Sequence, residues 1–221
     1  MNRFVSRVFA AFVLATLLVV SASAQNPRIV HTVTKEHTSG PQFAKELWLA
    51  PMQNYYSASD KYIAIYVTPK RNTTVYIQQG KDASTIQSKQ VSAYQVATFL
   101  LPLGWEMTST DVVQAKAIHV WSKDVDILAY LMSHSPNTSD GMYVIPTIGW
   151  GTDYIVAAFA ALDQGGKGDD PSEFVIVANQ DNTNVLVTPS CDLRGTGAPN
   201  APSHLKGQPF GISMNFSPKT K

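Results

Sequence analysis

Apolar residues alternate with other side chains along most of this chain, and this period of two is the feature that most limits how it can fold. In residues 61–78, KYIAIYVTPKRNTTVYIQ, branched apolar side chains stand at 63, 65 and 67, and the alternation resumes at 75 and 77. Alternation of this length in β-branched and aromatic residues indicates half-buried strands. The pattern recurs in residues 94–102, 116–122, 125–131, 142–148, 153–160 and 210–216.

Short stretches of Pro, Gly, Asn, Asp and Ser separate these segments, and such residues form the turns of hairpins and Greek-key links. Residues 61–78 are interpreted as one hairpin, and residues 116–131 as another with its tip at 122–124. No segment has an apolar face long enough for a helix. The sequence therefore predicts an all-β fold, an antiparallel sandwich.

Two parts of the chain carry the same order of elements. Residues 72–75, NTTV, align with residues 182–185, NTNV, at an offset of 110, and Ile65 then aligns with Val175 and Val67 with Val177. Upstream, residues 45–51, KELWLAP, align with residues 153–159, DYIVAAF. Because the order persists beyond one turn, an internal duplication is favoured over a chance similarity of two hairpins.

The second copy is shorter than the first. Residues 210–216 can stand for residues 96–102, but residues 116–131 have no counterpart before Lys221. A sandwich without those strands exposes strand edges and apolar surface. We predict a polar lead-in at 25–44, a first β unit at 45–150 and an incomplete second β unit at 151–221, within a polypeptide that has further domains.

The first 24 residues have the three-part layout of a secretory signal peptide. Arg3 and Arg7 precede an uncharged apolar run at 8–20, and the small residues 22–24 follow it. The run is shorter than the roughly 18 to 20 residues of a membrane span, and its small-residue exit favours cleavage between Ala24 and Gln25. We therefore predict a secreted or cell-surface protein whose mature chain has no membrane span.

Charge excludes two classes of partner. Removing Arg3 and Arg7 from 17 basic residues leaves 15 against 16 acidic ones, and these charges are scattered singly. A near-neutral chain of this kind has no basic stripe for nucleic acid and no polybasic patch for anionic lipid.

The single cysteine, Cys191, is unusual in a chain predicted to enter an oxidising compartment. It is interpreted as a buried inert thiol, as half of an intermolecular bridge, or as a thiol whose partner lies outside this chain. No histidine stands near it in the sequence to lower its pKa, so it is not a convincing nucleophile.

Three segments then stand in order at 116–131 (KAIHVWSKDVDILAYL), 137–159 (NTSDGMYVIPTIGWGTDYIVAAF) and 172–190 (SEFVIVANQDNTNVLVTPS). Together they resemble the N-terminal domain of IgG-Fc-binding proteins, over roughly residues 47–216. Ala117 stands where the family has Gly, and Asp126 departs from its apolar pattern. The second segment carries the likeness through Ser139, Asp140, Tyr143 and Pro146, and the third, which is the most specific, through residues 172–185.

The resemblance implies a secreted β-rich module with binding or adhesive duties and no known catalytic residues. It also implies a chain that continues beyond the point corresponding to Lys221. Antibody binding belongs to particular animal members of the family. Nothing in this sequence indicates an antibody-binding surface, so antibody binding is not predicted here.

A search for catalytic motifs favours the same conclusion. The chain has no nucleophile elbow, zinc-protease motif, phosphate-binding loop or paired-cysteine metal site. His134, Ser139 and Asp140 could be drawn as a hydrolase trio, but these residue types occur together in many polar loops. We predict that the protein is not an enzyme and uses no cofactor.

Aromatic residues are weak candidates for ligand contacts. Tyr55 and Tyr56, followed by Tyr62, could present rings to a protein or a sugar, with Asp140 as a further candidate. Tyrosines are equally typical of ordinary strand surfaces.

Residues 163–173, DQGGKGDDPSE, are the best metal candidate, because Asp163, Asp169 and Asp170 offer oxygen ligands for Ca²⁺. The segment lacks the spacing of a true calcium loop, and a solvated hairpin loop explains it equally well. Asn72 and Asn137 match glycosylation acceptors if the source is eukaryotic, and are otherwise turn residues.

The sequence thus predicts an exported binding or adhesion module whose partner is an extracellular protein or glycan. Binding would use loops at one end of the sandwich or an exposed strand edge. A structural spacer in a larger surface protein is the alternative, and a secreted hydrolase is the third hypothesis.

Overall fold

The computed structural model describes residues 42–54, 60–136, 138–158, 162–163, 169–170, 172–194 and 202–214, without the side chains of 162, 163, 169, 170, 194 and 202. The predicted signal peptide and most of the predicted lead-in lie outside these residues.

Eight strands form two four-stranded antiparallel sheets. The strands are β1 (Glu46–Leu49), β2 (Tyr62–Pro69), β3 (Thr73–Gln79), β4 (Gln87–Val91), β5 (Ala97–Leu101), β6 (Ile118–Ser122), β7 (Ile127–Ser135) and β8 (Thr138–Tyr143). One sheet has the order β1-β6-β3-β4 and the other β5-β2-β7-β8. The predicted all-β antiparallel sandwich is confirmed.

The core lies between these two sheets, as in other face-to-face packings. Alternate positions of each central strand are fully buried, because the pleat of a strand points every second side chain to the same face. Phe99 is the largest fully buried side chain among the described residues, and most other members of its core cluster are branched. The core cluster consists of Leu47, Leu49, Ile63, Ile65, Val67, Val75, Ile77, Val91, Phe99, Leu101, Trp105, Ile118, Val120, Ile127, Ala129, Leu131 and Val144.

The two predicted hairpins at 61–78 and 116–131 are wrong. β2 and β3 lie in different sheets, as do β6 and β7, so each connection crosses from one sheet to the other. β2 pairs with β7 and β3 with β6, which places the two crossings side by side. The Lys70 amide donates to the Asp126 carbonyl oxygen at 3.1 Å between them. Alternation did not distinguish the two arrangements, because a hairpin and a crossing both keep every second side chain in the core.

The described residues of the second half of the chain pair less extensively. Its strands are β9 (Leu162–Asp163), β10 (Asp169–Asp170), β11 (Thr183–Val187), β12 (Leu193–Arg194), β13 (Pro202–His204) and β14 (Phe210–Met214). They form three two-stranded antiparallel pairs, β9 with β10, β11 with β14 and β12 with β13. Residues 153–158 and 172–178 have no strand assigned.

The duplication stays a prediction. β11 aligns with β3, and each begins at the Thr of an Asn-Thr pair, at 72–73 or 182–183. However, β14, which was aligned with residues 96–102, pairs with β11. β5, which spans that first-half segment, pairs with β2. The strand pairing of the two halves therefore differs where the sequence alignment equates them.

The helices in the described part of the chain are the single 3-10 turns Ala83–Thr85, Leu103–Trp105 and Thr147–Gly149. None of them is long or apolar enough to cross a membrane.

Candidate binding face

The outer surface of the sheet β5-β2-β7-β8 is rich in tyrosine. We call this surface the tyrosine face, and its principal residues are Tyr62, Tyr66, Leu100, Tyr130, Met132, His134 and Tyr143. They occupy the positions that alternate with the core residues of the same strands. β2 and β7 therefore present mostly apolar residues to the core and their tyrosines to the outside.

Strand register brings these rings together in rows. Tyr66, Tyr130 and Tyr143 are directly opposite one another on β2, β7 and β8, and Tyr62 is opposite His134. The ring centroids of Tyr130 and Tyr143 are 5.7 Å apart, and those of Tyr62 and His134 are 4.7 Å apart. Directly opposed positions of an antiparallel pair are the closest cross-strand neighbours, so the rows follow from the register.

The tyrosine face is open and carries no permanent charge among the described residues. Leu100 is 64% exposed and Tyr130 is 48% exposed. The remaining outer positions on the four strands are occupied by Ala64, Thr68, Thr98, Leu128, Ser139 and Gly141. An exposed apolar surface of this kind, rich in Tyr and Met, is typical of protein interaction sites.

Two tyrosines of this face, Tyr66 and Tyr143, have raised pKa values. Burial, followed by the neighbouring Tyr62, raises the pKa of Tyr66 above its ordinary value. Burial and the neighbouring Tyr130 raise the pKa of Tyr143 in the same direction. The Tyr143 hydroxyl donates to the Gln42 carbonyl oxygen at 2.7 Å, which shows one such group acting as a donor.

The predicted Ser, His and Asp trio is only partly assembled. His134 Nδ1 and Ser139 Oγ are 2.7 Å apart on the tyrosine face. Asp140 is the next residue on β8, so its side chain is on the opposite face of the sheet, on the side of its partner Ser133. The arrangement places the carboxylate on the wrong side of the sheet to orient the imidazole, as a nucleophilic triad would require.

Several other predicted site residues lie outside the described ones. These are Ala24, Gln25, Tyr55, Tyr56 and Asn137, and also the side chains of Asp163, Asp169 and Asp170. The backbones of Asp163 and Asp169 are paired antiparallel, but calcium binding remains a prediction. Elsewhere, the described residues include no cluster of three or more His, Cys, Asp or Glu side chains that could hold a metal ion.

Two further predictions concern exposed residues. Asn72 is exposed between β2 and β3, and its Oδ1 accepts a hydrogen bond from the Ala93 amide at 2.8 Å. Its glycosylation stays a prediction. Cys191 is exposed, so the interpretation as a buried thiol is wrong, and the two alternatives that involve an outside partner remain.

The other sheet carries a second aromatic row on its outer face, which the sequence did not predict. The His119 ring stacks on Trp48 at 4.3 Å and on Trp121 at 4.5 Å, and Trp121 stacks on Tyr76 at 5.3 Å. His119 and Trp121 each stack on two rings, whereas Trp48 and Tyr76, at the ends of the row, each stack on one. Burial lowers the pKa of His119, although the Glu46 carboxylate at 3.4 Å opposes this effect.

A buried ion pair connects the loops at one end of the sandwich. Lys61 Nζ is 2.7 Å from Glu106 Oε2, and the two side chains are only 10% and 5% exposed. Lys61 also donates to the Asn54 carbonyl oxygen, and Lys116 donates to the Glu106 carbonyl oxygen. Desolvation, followed by the Glu106 carboxylate, raises the pKa of Glu173 in the second half.

Comparison with known proteins identifies one segment. Residues 140–216 match the family model described as IgGFc binding protein. The match includes the most specific of the three predicted motifs, at 172–185, and excludes the first, at 116–131. The predicted resemblance to IgG-Fc-binding proteins is thereby confirmed over the matched segment, whereas its placement in the N-terminal domain of that family stays a prediction. Neither the curated proteins nor the solved structures gave a match to this chain.

Proposed function

We propose that this chain, which carries a segment of the IgG-Fc-binding family at residues 140–216, is an exported, non-catalytic module that binds an extracellular protein through its tyrosine face. The main observation in support of this proposal is an open four-stranded sheet face whose described residues include four tyrosines and no permanent charge. The family supports an extracellular binding role. Part of the face, on β8, lies within the matched segment.

The chemistry of the face favours protein over glycan as the ligand. Tyrosine gives a large contact area and a hydrogen-bonding hydroxyl at small cost in side-chain entropy. Leu100 and Met132 add apolar area between the rings. The outer strand positions of the face have no carboxylates or basic groups, which suits a partner surface that is itself weakly charged.

Binding by the purified chain to immobilised extracellular proteins tests the proposal. The panel contains antibody Fc fragment and mucin, and the mucin is tested with and without its glycans. We expect saturable binding to at least one polypeptide, which the double variant Tyr62→Ser with Tyr130→Ser weakens at least tenfold, since buried interface tyrosines are common hot spots. The control Tyr94→Asn removes an exposed tyrosine from a turn outside the face, at a positive φ that Asn tolerates, and binding should change less than twofold.

Two results would contradict the proposal. Binding that disappears when the glycans are removed from mucin identifies a glycan-binding module. If no protein on the panel binds saturably, and the double variant adheres as well as the wild type, the hypothesis of a structural spacer is favoured.

A further inference from the structure

Asn54 is a buried polar residue whose side chain bridges two strands of the sheet that carries the tyrosine face. It is only 7% exposed. Its Nδ2 donates to the Ser133 carbonyl oxygen on β7 at 3.1 Å and to the Thr138 carbonyl oxygen on β8 at 3.4 Å. Its Oδ1 accepts a hydrogen bond from the Thr138 hydroxyl. Because both amide hydrogens and the amide oxygen are engaged, the orientation of this side chain is fixed.

The backbone of Asn54 is held by the buried ion pair. The Lys61 ammonium donates to the Asn54 carbonyl oxygen at 3.2 Å, and the Asn54 amide donates to Glu106 Oε1 at 3.4 Å. Lys61 immediately precedes β2. Asn54 therefore connects the start of β2 with the adjacent ends of β7 and β8.

The three residues bound by Asn54 stand directly before three residues of the tyrosine face. The pairs of neighbours are Lys61 before Tyr62, Ser133 before His134 and Thr138 before Ser139. A carbonyl and the following amide belong to one planar peptide group. Fixing the carbonyls of residues 133 and 138 therefore also orients the backbone of residues 134 and 139, whereas Lys61 is held through its side chain.

The contacts among these three face residues depend on the relative positions of three strands. The rings of Tyr62 and His134 are 4.7 Å apart between centroids, and His134 Nδ1 is 2.7 Å from Ser139 Oγ. They lie near the end of the β7–β8 ladder, where Ser135 pairs with Thr138. Strand ends open locally more easily than strand centres. A bridge at this place reduces the ordering that a ligand would otherwise have to impose.

We propose that Asn54 is a positioning residue for the tyrosine face, which holds Tyr62, His134 and Ser139 in the arrangement that the protein ligand contacts. Asn54 acts through the strands and not by touching the ligand, because it is buried beneath them. This inference rests on the proposed function, since the ligand is the one that the tyrosine face is proposed to bind.

Nuclear magnetic resonance of the purified chain tests the positioning without a ligand. In Asn54→Ala we expect the nuclear Overhauser effect between the Tyr62 and His134 rings to fall at least fivefold and the His134 Nδ1 resonance to move. The matched control is Ser122→Ala, because Ser122 is also buried and its Oγ bonds the Val125 carbonyl oxygen and amide in the other sheet. Both signals should be unchanged in the control. Thr138→Val is a milder variant that removes only the hydrogen bond to Asn54 Oδ1, and it should shift the same signals in the same direction.

Binding then tests the consequence for the ligand. The probe is antibody Fc fragment or mucin without its glycans, whichever binds the wild type. We expect Asn54→Ala to weaken this binding at least fivefold and Ser122→Ala to change it less than twofold.

Three results would overturn the proposal. They are unchanged ring signals in Asn54→Ala, an equal change of these signals in Ser122→Ala, and undiminished binding by an Asn54→Ala chain whose ring signals are altered. If the wild type binds neither probe, the proposed function fails instead, and the positioning of the three residues stands or falls on the resonance comparison alone.

Discussion

The two halves of this molecule have the same alternating sequence pattern, but they bury their apolar side chains to different extents. Leu47 in the first half is fully buried, whereas the aligned Ile155 in the second is almost completely exposed. Ile65 and Val67 are also fully buried, while the aligned Val175 and Val177 are half-buried. Alternation determines which side chains share a face, but a face is covered only when another sheet lies over it. The first half has that second sheet, and the comparison predicts how each half responds to mutation.

The largest expected difference concerns apolar side chains. Phe99→Ala should lower the free energy of unfolding by about 3 to 5 kcal/mol, because it leaves a cavity between the two sheets. Leu186→Ala, on the exposed side of β11, should change it by less than about 0.5 kcal/mol. Urea unfolding followed by tryptophan fluorescence measures both. Equal losses would show that the second half is as closed as the first.

Breaking the buried ion pair should have a nearly comparable effect. Glu106→Gln leaves the Lys61 ammonium buried without a counter-charge, which typically costs about 3 to 5 kcal/mol. Asp126→Asn is the control, since its pair with Lys70 is exposed and such pairs contribute about 0 to 1 kcal/mol. Urea unfolding at neutral pH provides the comparison, and similar losses for the two variants would contradict the assignment of the Lys61 pair as a structural anchor.

Two glycines, one in each half, should give a loss of stability of intermediate size when each is replaced by alanine. Gly80 and Gly207 both have positive φ, so Ala is strained at either position. At Gly80 an added Cβ would also lie 2.7 Å from the Ala115 carbonyl oxygen, whereas at Gly207 it meets open space. We expect Gly207→Ala to cost about 1 kcal/mol and Gly80→Ala clearly more, measured as the shift of the urea midpoint. A larger loss at Gly207 would show that backbone approach is not what distinguishes the two sites.

The smallest expected effect is on how the free energy of unfolding depends on pH, and its sign is opposite for one residue in each half. The folded pKa of Glu173 is raised, so its contribution to stability is present below the ordinary glutamate pKa and is lost as pH rises through the raised value. Glu173→Gln should therefore be more stable than the wild type at neutral pH, with the difference vanishing in acid.

Asp82 in the first half supplies the contrast. Hydrogen bonds from the Ser84 hydroxyl and amide lower its pKa. Its contribution is therefore present above the ordinary aspartate pKa and is lost as pH falls through the lowered value. Asp82→Asn should be less stable than the wild type at neutral pH and should match it in acid. Thermal unfolding of both variants between pH 3 and pH 8 is the measurement, and the same sign for both would refute the assignment.

The fold class could be predicted from the sequence because strand alternation is a local property. The segment around Ile63, Ile65 and Val67 needs no distant information to be identified as a strand with one branched face. The crossings between sheets could not be predicted, because the partners of β2 and β3 are β7 and β6, and their approach depends on the whole chain.

The tyrosine face was only partly foreseen for the same reason. Tyr62 was a candidate by its ring alone, but its meeting with His134 depends on the register of β2 and β7. The row of Trp48, His119 and Trp121 needs the pairing of β1 with β6, which the alternation of either strand does not contain. The sequence shows which residues share a face of one strand, whereas a binding surface is built across several strands.

The side-by-side crossings also order the events of folding. The central ladder of one sheet joins β3 to β6 and that of the other joins β2 to β7, so the first cannot be completed before residue 122 has been made and the second not before residue 135. Contacts between such distant segments form slowly, because the entropy of loop closure must be lost before any contact compensates for it. While its first five strands are being made, the nascent chain can therefore form only outer pairs, β3 with β4 and β2 with β5, and both sheets still lack their central ladders.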